Sequence, residues 1–325
     1  MTRADLVGVP RGDLECDSLA CHRRAMVAER GLGFRMRGEQ FRLVHTHGRR
    51  LEGWASAGPA RNAVLLQMGT PGAGIPYEPM VAAVVARGHR FVTYSRPGYG
   101  GSSRWAGRSV ADCIEDVSAV IQHLGLDRVH VVGWSGGGPH ALACAARLPS
   151  VASAATLAGV APSNADGLDW LDGMGEENVR ELGAALEGSD ALVSYLRDAA
   201  DELRESTGAT IAKALGTLVT EVDRRALTGS LADFLARTMH EALADGVGGW
   251  HDDDLAFARD WGFSLDEIGV PVTVWQGRND AMVPFAHGRW LAEHVTGARP
   301  MLLEDEGHIS LVARFDDVVE DLLRG

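Results

Sequence analysis

Residues 129–140 read Val-His-Val-Val-Gly-Trp-Ser-Gly-Gly-Gly-Pro-His and run on into the alanine-rich ALACAARL. An apolar β-branched run meets a Gly-x-Ser-x-Gly turn at 133–137 and then a helical stretch. The spacing has a steric reason. A serine lifted out of a strand into a sharp turn needs unusual backbone angles and neighbours without bulk, and Gly133 and Gly137 supply the room. The hydroxyl of Ser135 would stand clear at the C-terminal end of a sheet. The N-terminus of the next helix beneath it favours developing negative charge. A bare glycine-serine-glycine spacing also occurs in ordinary turns, so the flanking strand and helix are what give this one meaning.

Upstream, QFRLVHT (40–46) and RRLEGWASA (49–57) alternate polar and apolar, the pattern of an antiparallel strand pair turning near His47-Gly48. NAVLLQM (62–68) and RFVTYS (90–95) are largely apolar, as strands covered on both faces are. Between them PYEPMVAAVVARG predicts a helix ending at Gly88, and Val110–Leu124 predicts another. After the helix at 138–148, VASAATLAG reads as a further strand. From about Ser163 to Phe263 no strand pattern occurs, and stretches such as EENVRELGAALEG and DFLARTMHEALADG are amphipathic helices. Alternation resumes with the strand PVTVWQG (271–277), a helix around HGRWLAEHV, the strand PMLLE (300–304) and a terminal helix in LVARFDDVVEDLLR. Such alternation predicts an α/β fold with a mostly parallel sheet covered by helices. The expected organisation is an N-terminal extension at 1–35, partly helical over Leu19–Arg30, and a core formed by 36–162 and 264–325. A helical subdomain would occupy 163–263.

The 325 residues carry 44 acidic and 31 basic side chains, a formal net charge of −13. That balance argues against nucleic acid and anionic membrane as partners. No apolar run reaches membrane-spanning length, and no signal-peptide h-region opens the chain, so a cytoplasmic location is the expectation. The four cysteines do not make a disulfide scaffold. Cys16 and Cys21 lie close, but with His22 they do not complete a metal site, and Cys113 and Cys144 read as core. Neither metal nor cofactor is expected.

A serine hydroxyl is a poor nucleophile at neutral pH. It needs a histidine to take its proton and a carboxylate to orient that histidine. Catalytic groups in an open α/β sheet lie beyond the C-terminal ends of strands. Asp280 follows the strand VTVWQG and His308 follows MLLE. Each alone reads as an ordinary turn or helix-start residue. Together they complete the order Ser135, Asp280, His308 on strand ends. Asp166, after the preceding core strand, is the rival carboxylate.

With these motifs in place, the chain resembles the α/β-hydrolase superfamily over roughly residues 38–325. It is similar to the kind with a helical cap between core strands six and seven. The matching motifs are GTPG (69–72), GWSGG (133–137), GRND (277–280) and EGH (306–308). The resemblance implies an eight-stranded, mostly parallel sheet. It implies Ser135 as nucleophile, His308 as general base and then acid, and Asp280 as orienter. The backbone N–H groups of Thr70 and Gly136 would form the oxyanion hole. Two departures stand out. Met68 replaces the family's histidine before the oxyanion glycine, which implies altered bracing of that loop. Ser95 replaces its aspartate before Arg-Pro-Gly-x-Gly, which alters local hydrogen bonding.

The leading expectation is a serine hydrolase that cleaves a carboxylic ester, thioester or lactone through an acyl-enzyme, with a small-molecule acyl substrate. Relatives with other chemistry differ at diagnostic positions. Epoxide hydrolases and haloalkane dehalogenases place aspartate where Ser135 stands. Carbon–carbon bond hydrolases tend to have an aromatic where Ile309 stands, and haloperoxidase-like members a methionine where Gly136 stands. The alternatives are a proline-iminopeptidase-like aminopeptidase, an acyltransferase or cyclase, and a non-catalytic ligand-binding protein. Acidic residues such as Asp190, Asp201 and Glu202 motivate the aminopeptidase, although charge on a helix usually marks a solvated face. Trp170, Met174, Tyr195, Trp250, Trp261 and Phe263 are candidate pocket or cap-packing residues, and Trp134 a candidate pocket floor. His140 is expected to point away from the serine. Oligomeric state stays open, with a homodimer among the options.

Overall fold

The computed structural model describes residues 36–45 and 48–324, so the N-terminal extension, Cys16, Cys21 and His22 lie outside the described residues. Eight strands form one sheet: β1 (Gly38–Val44), β2 (Arg50–Ser56), β3 (Asn62–Gln67), β4 (Arg90–Tyr94), β5 (Arg128–Trp134), β6 (Val151–Leu157), β7 (Val272–Gly277) and β8 (Arg299–Leu303). Their spatial order is β1-β2-β4-β3-β5-β6-β7-β8. β1 pairs antiparallel with β2, and β2 antiparallel with β4. All other neighbours run parallel.

The apolar run of β3 explains its central place. Ala63, Val64, Leu65 and Leu66 are all fully buried. Successive side chains point to opposite faces. Val64 and Leu66 join a core with Met80 and Val84 of α1 (Glu78–Val85) and Val318 and Val319 of α11 (Phe315–Leu322). Ala63 and Leu65 join a second core with Val117 of α2 (Cys113–Leu124) and Leu142 of α3 (Gly137–Arg147). Each leucine or valine so buried contributes about 1.5–3 kcal/mol relative to exposure. Cys113 and Cys144 are free and buried in that second layer.

The sheet order positions the site. From β3 the chain passes through α1 to β4 on one side, then returns through α2 to β5 on the other. Connections that diverge from adjacent parallel strands leave a crevice above their C-terminal ends. The segments after β3 and β5, at Thr70 and Ser135, flank that crevice.

Between β6 and β7 lie six helices and no strand: α4 (Glu176–Glu187), α5 (Ser189–Glu205), α6 (Ile211–Ala214), α7 (Glu221–Ala226), α8 (Gly229–Leu243) and α9 (Gly248–Phe257). α5 buries Leu192, Leu196, Ala200 and Leu203 in one core with Leu231, Leu235 and Met239 of α8. α10 (Phe285–His294) connects β7 to β8. One expected helix differs. The terminal segment splits into a 3₁₀ turn at Ser310–Arg314 and α11, because the buried carboxylate of Asp223 takes the N–H groups of residues 308–310 at its start.

Candidate active site

Ser135 has φ +55°, an uncommon angle for a residue with a side chain, and sits where β5 passes into α3. The turn is locked by Ser135 N–H donating to Leu157 O at 2.8 Å and Gly138 N–H donating to Ser135 O at 2.9 Å. Its tightness depends on missing atoms. A Cβ at Gly133 would lie 2.3 Å from Gly137 O, and one at Gly137 2.1 Å from Gln67 O.

Asp280 follows β7 and His308 follows β8, and the structure brings them together. His308 Nδ1 donates to Asp280 Oδ2 at 2.8 Å. A carboxylate can only accept, so Nδ1 carries the proton and Nε2 presents its lone pair. Asp280 is itself held on all sides: Oδ1 accepts from the N–H of Met282 and of Val283, both at 2.8 Å, and Oδ2 accepts from Gln276 Nε2 at 3.0 Å. Burial works against a charged His308. The Asp280 charge, its hydrogen bond and the nearby Asp223 outweigh that and hold the imidazole above the usual histidine range. Ser135 and His308 line one cavity of about 50 Å³, with Met68, Trp134 and Ile309. No hydrogen bond joins Ser135 Oγ to His308 Nε2; such contacts commonly tighten only when substrate binds. The rival Asp166 is exposed and takes no part in this cluster.

Thr70 faces Ser135 from the end of β3. It comes close enough that a Cβ on Gly136 would lie 2.5 Å from Thr70 Oγ1. Among the described residues no backbone carbonyl accepts the N–H of Thr70 or of Gly136. The loop carrying Thr70 is held from below by Arg96, which donates to Met68 O, to Gly69 O at 3.2 Å and to Thr70 Oγ1 at 2.9 Å. The Met68 side chain itself is buried in the core and takes no part in these bonds. Ser95 makes local bonds in the same loop: its Oγ accepts from Gly74 N–H at 3.0 Å.

Arg96 is fully buried and is balanced by Asp253 of α9, whose Oδ2 lies 2.6 Å from Arg96 Nη2. The same oxygen accepts from Thr70 Oγ1 at 2.8 Å and from Tyr99 OH at 2.9 Å, while Oδ1 lies 2.7 Å from Arg108 Nη1. Burial alone would raise the Asp253 pKa, but Arg108 and Arg96 push it far below the ordinary carboxylate value. His140 joins this cluster rather than the cavity. Its Nδ1 bonds Gly136 O at 2.9 Å, and burial together with Arg96 pushes it down to about 3, so it is neutral.

Above Ser135 opens a cavity of about 490 Å³ between the sheet crevice and the inserted helices. Thr70, Ser135 and Gly136 lie on one side, and Leu203, Leu218, Met239, Trp250 and Phe257 supply apolar wall. Five acidic residues (Glu177, Glu181, Asp198, Glu202 and Asp254) but one basic residue, Arg180, also line it. Glu181 and Asp254 form a carboxyl pair in direct contact: burial drives Asp254 well above its ordinary value, with Glu181 and Asp253 adding to the shift. Burial raises Glu181 to about 7 against the lowering effect of the Trp250 indole N–H, which donates at 2.8 Å.

Of the acids singled out in the sequence, Glu202 lines this cavity. Asp190 is exposed, and Asp201 pairs with Arg204 at the surface. Of the aromatic candidates, Tyr195 and Trp250 line it and Trp134 lines the smaller one. Trp170, Trp261 and Phe263 pack elsewhere, and so does Met174. Sequence reasoning missed Arg96 as a brace and Asp223, Glu181, Asp253 and Asp254 altogether. The one signal for the last two was three successive aspartates, 252–254, inside an otherwise apolar helix end. Among the described residues no group of three or more His, Cys, Asp or Glu could hold a metal ion, and no helix is long and apolar enough to cross a membrane.

A family model described as the alpha/beta hydrolase fold matches residues 62–314. The chain is 29% identical over 247 residues to a pimeloyl-[acyl-carrier protein] methyl ester esterase of Aromatoleum aromaticum, which covers 73% of this chain and 89% of that one. It is 27% identical over 284 residues to a non-heme haloperoxidase of Rhodococcus erythropolis, 83% of this chain and 92% of that one. Among solved structures, the enol-lactonase of Burkholderia xenovorans LB400 superposes with a TM-score of 0.62 at 21% identity, covering 88% of this chain and 100% of that one.

Proposed function

The chain belongs to the α/β-hydrolase fold family and is a hydrolase, and from that premise we propose that it cleaves a carboxylic ester, thioester or lactone through an acyl-enzyme on Ser135. In this reading Ser135 Oγ attacks the carbonyl carbon while His308 Nε2 takes its proton. The oxyanion settles between the N–H groups of Thr70 and Gly136. His308 returns the proton to the leaving oxygen or sulfur, and water then repeats the sequence to release the acid. The observation that carries it is the His308 Nδ1–Asp280 Oδ2 bond of 2.8 Å, which frees Nε2 as a base beside the cavity onto which Ser135 opens. The esterase name of the Aromatoleum relative supports the ester class. The mostly apolar wall and the size of the larger cavity suit a small to medium acyl group.

The test is turnover of short p-nitrophenyl esters. Ser135→Ala and His308→Ala are each expected to lower kcat by at least about a thousandfold. Asp280→Asn is expected to lose most activity while staying folded, because an amide opposite Nδ1 favours the wrong tautomer. Undiminished turnover in the Ser135 or His308 variant would sink the assignment.

A second reading keeps the machinery and changes the substrate to one bearing a free amine. The excess of acidic over basic residues lining the cavity, with Glu177, Asp198 and Glu202 among them, favours it. Aminoacyl arylamides cleaved only while their amine is unblocked would support this reading, and equal cleavage of blocked and free forms would remove it.

A further inference from the structure

Two carboxylates of the inserted helices reach down onto the backbone loops that carry the proposed base and the proposed oxyanion donors. Asp223 on α7 is fully buried. Its Oδ2 accepts from His308 N–H at 3.0 Å, and its Oδ1 accepts from Ile309 N–H at 2.8 Å and Ser310 N–H at 2.9 Å. Three N–H groups converging on one carboxylate fix the direction of the chain through residue 308, and with it the imidazole. The approach is so close that a Cβ on Gly307 would lie 2.5 Å from Asp223 Oδ1. Asp253 on α9 does the corresponding work at the other loop. It accepts the Thr70 hydroxyl at 2.8 Å and neutralises Arg96, which grips the carbonyls of Met68 and Gly69.

We propose that Asp223 and Asp253 are positioning residues for the reaction, so that the cap fastens both catalytic loops and is part of the machinery as well as a cover. The inference rests on the acyl-enzyme reading above. Neither carboxylate touches the reacting atoms; each acts through a loop. Asp223 also acts through its charge. The charged groups facing His308 are Asp280 from the end of β7 and Asp223 from α7, and both favour the protonated imidazole.

The experiment uses the full chain and a p-nitrophenyl ester that the wild type turns over, with kcat, KM and the pH profile measured for Asp223→Asn, Thr70→Val, Thr70→Ser and Ser135→Ala. Asparagine must turn an NH2 toward N–H groups that need an acceptor. Asp223→Asn is therefore expected to lower kcat tenfold or more with KM within threefold. It should also shift the acid limb of kcat/KM to lower pH, since one charge that favours the imidazolium is gone. Thr70→Val removes the hydroxyl between Arg96 and Asp253 and is expected to lower kcat tenfold or more without moving the acid limb. Thr70→Ser, which keeps that hydroxyl, should recover most of the turnover that Thr70→Val loses. A folded Asp223→Asn with wild-type kcat and acid limb overturns the proposal, as does wild-type kcat in Thr70→Val. If Asp223→Asn fails to fold, the Thr70 pair decides. Loss of turnover in Ser135→Ala with Asp223→Asn and Thr70→Val both unaffected overturns only the fastening. Undiminished turnover in Ser135→Ala overturns the acyl-enzyme reading and the fastening with it.

Discussion

Asp253 and Asp254 are neighbours on α9, both essentially without solvent exposure, and their pKa values move in opposite directions. Burial penalises the charge of each. Asp253 turns toward Arg96 and Arg108, whose charges overcome that penalty and keep it ionised. Asp254, one residue on, faces Glu181, and a second carboxyl beside it adds to the penalty, which pushes its pKa well above the ordinary carboxylate value. A helix turns about 100° per residue, enough to send adjacent side chains into different surroundings. Burial alone therefore does not decide whether an acid is charged; the partner does.

The contrast can be broken by removing one charge at a time. The largest effect is expected from Asp253→Asn, which leaves Arg96 and Arg108 buried without their counter-ion. Loss of a partner in a buried pair costs about 3–5 kcal/mol, measurable by urea unfolding, and a loss below about 1 kcal/mol would mean that the cluster is not a true ion network. Asp254→Asn replaces an acid that burial and Glu181 push toward its neutral form with a side chain of nearly the same shape. It should cost less than about 1 kcal/mol, within the usual range for one hydrogen bond. A loss as large as that of Asp253→Asn would show Asp254 to be charged.

The smallest effect is a slope. Burial raises Glu181 from 4.5 to about 7, so the folded state holds its proton more tightly than the unfolded chain. The stability linked to that proton is full below the unfolded value and is lost as pH rises through about 7. The melting temperature of the wild type relative to Glu181→Gln should therefore fall between pH 5 and pH 8. An identical slope in the variant would remove Glu181 as its source.

The same distinction explains what the sequence made legible. The strands showed because both faces of β3 and β5 are covered, which forces unbroken apolar runs such as NAVLLQ. Asp280 and His308 showed because a parallel sheet puts such groups just past strand ends, a place that can be counted from the strands. The buried acids did not show. Asp223 and Glu181 lie on helices that also carry exposed charge, and Asp253 sits in a run of three aspartates that looks like such a charged face but is buried throughout. Their partners are far away in the chain: Asp253 meets Arg96 across 157 positions, and Asp223 meets the backbone at Ser310 across 87. No periodicity links residues so distant. Asp190 and Asp201 had the same appearance in the sequence and lie at the surface. Arg96 stands in the Arg-Pro-Gly-x-Gly loop, and only the fold shows that its guanidinium reaches the carbonyls of Met68 and Gly69.

The packing around Ser135 has a consequence for redesign. A single added carbon at Gly133, Gly137 or Gly138 would come within 2.7 Å of other backbone, so these positions are closed to every other amino acid unless strands and helix shift together. The larger cavity is bounded instead by side chains such as Leu203, Leu218 and Met239, whose size can change while that backbone stays still. Changes of substrate are therefore reached through the inserted helices. The turn at 133–138 stays fixed, like a socket that takes many fittings.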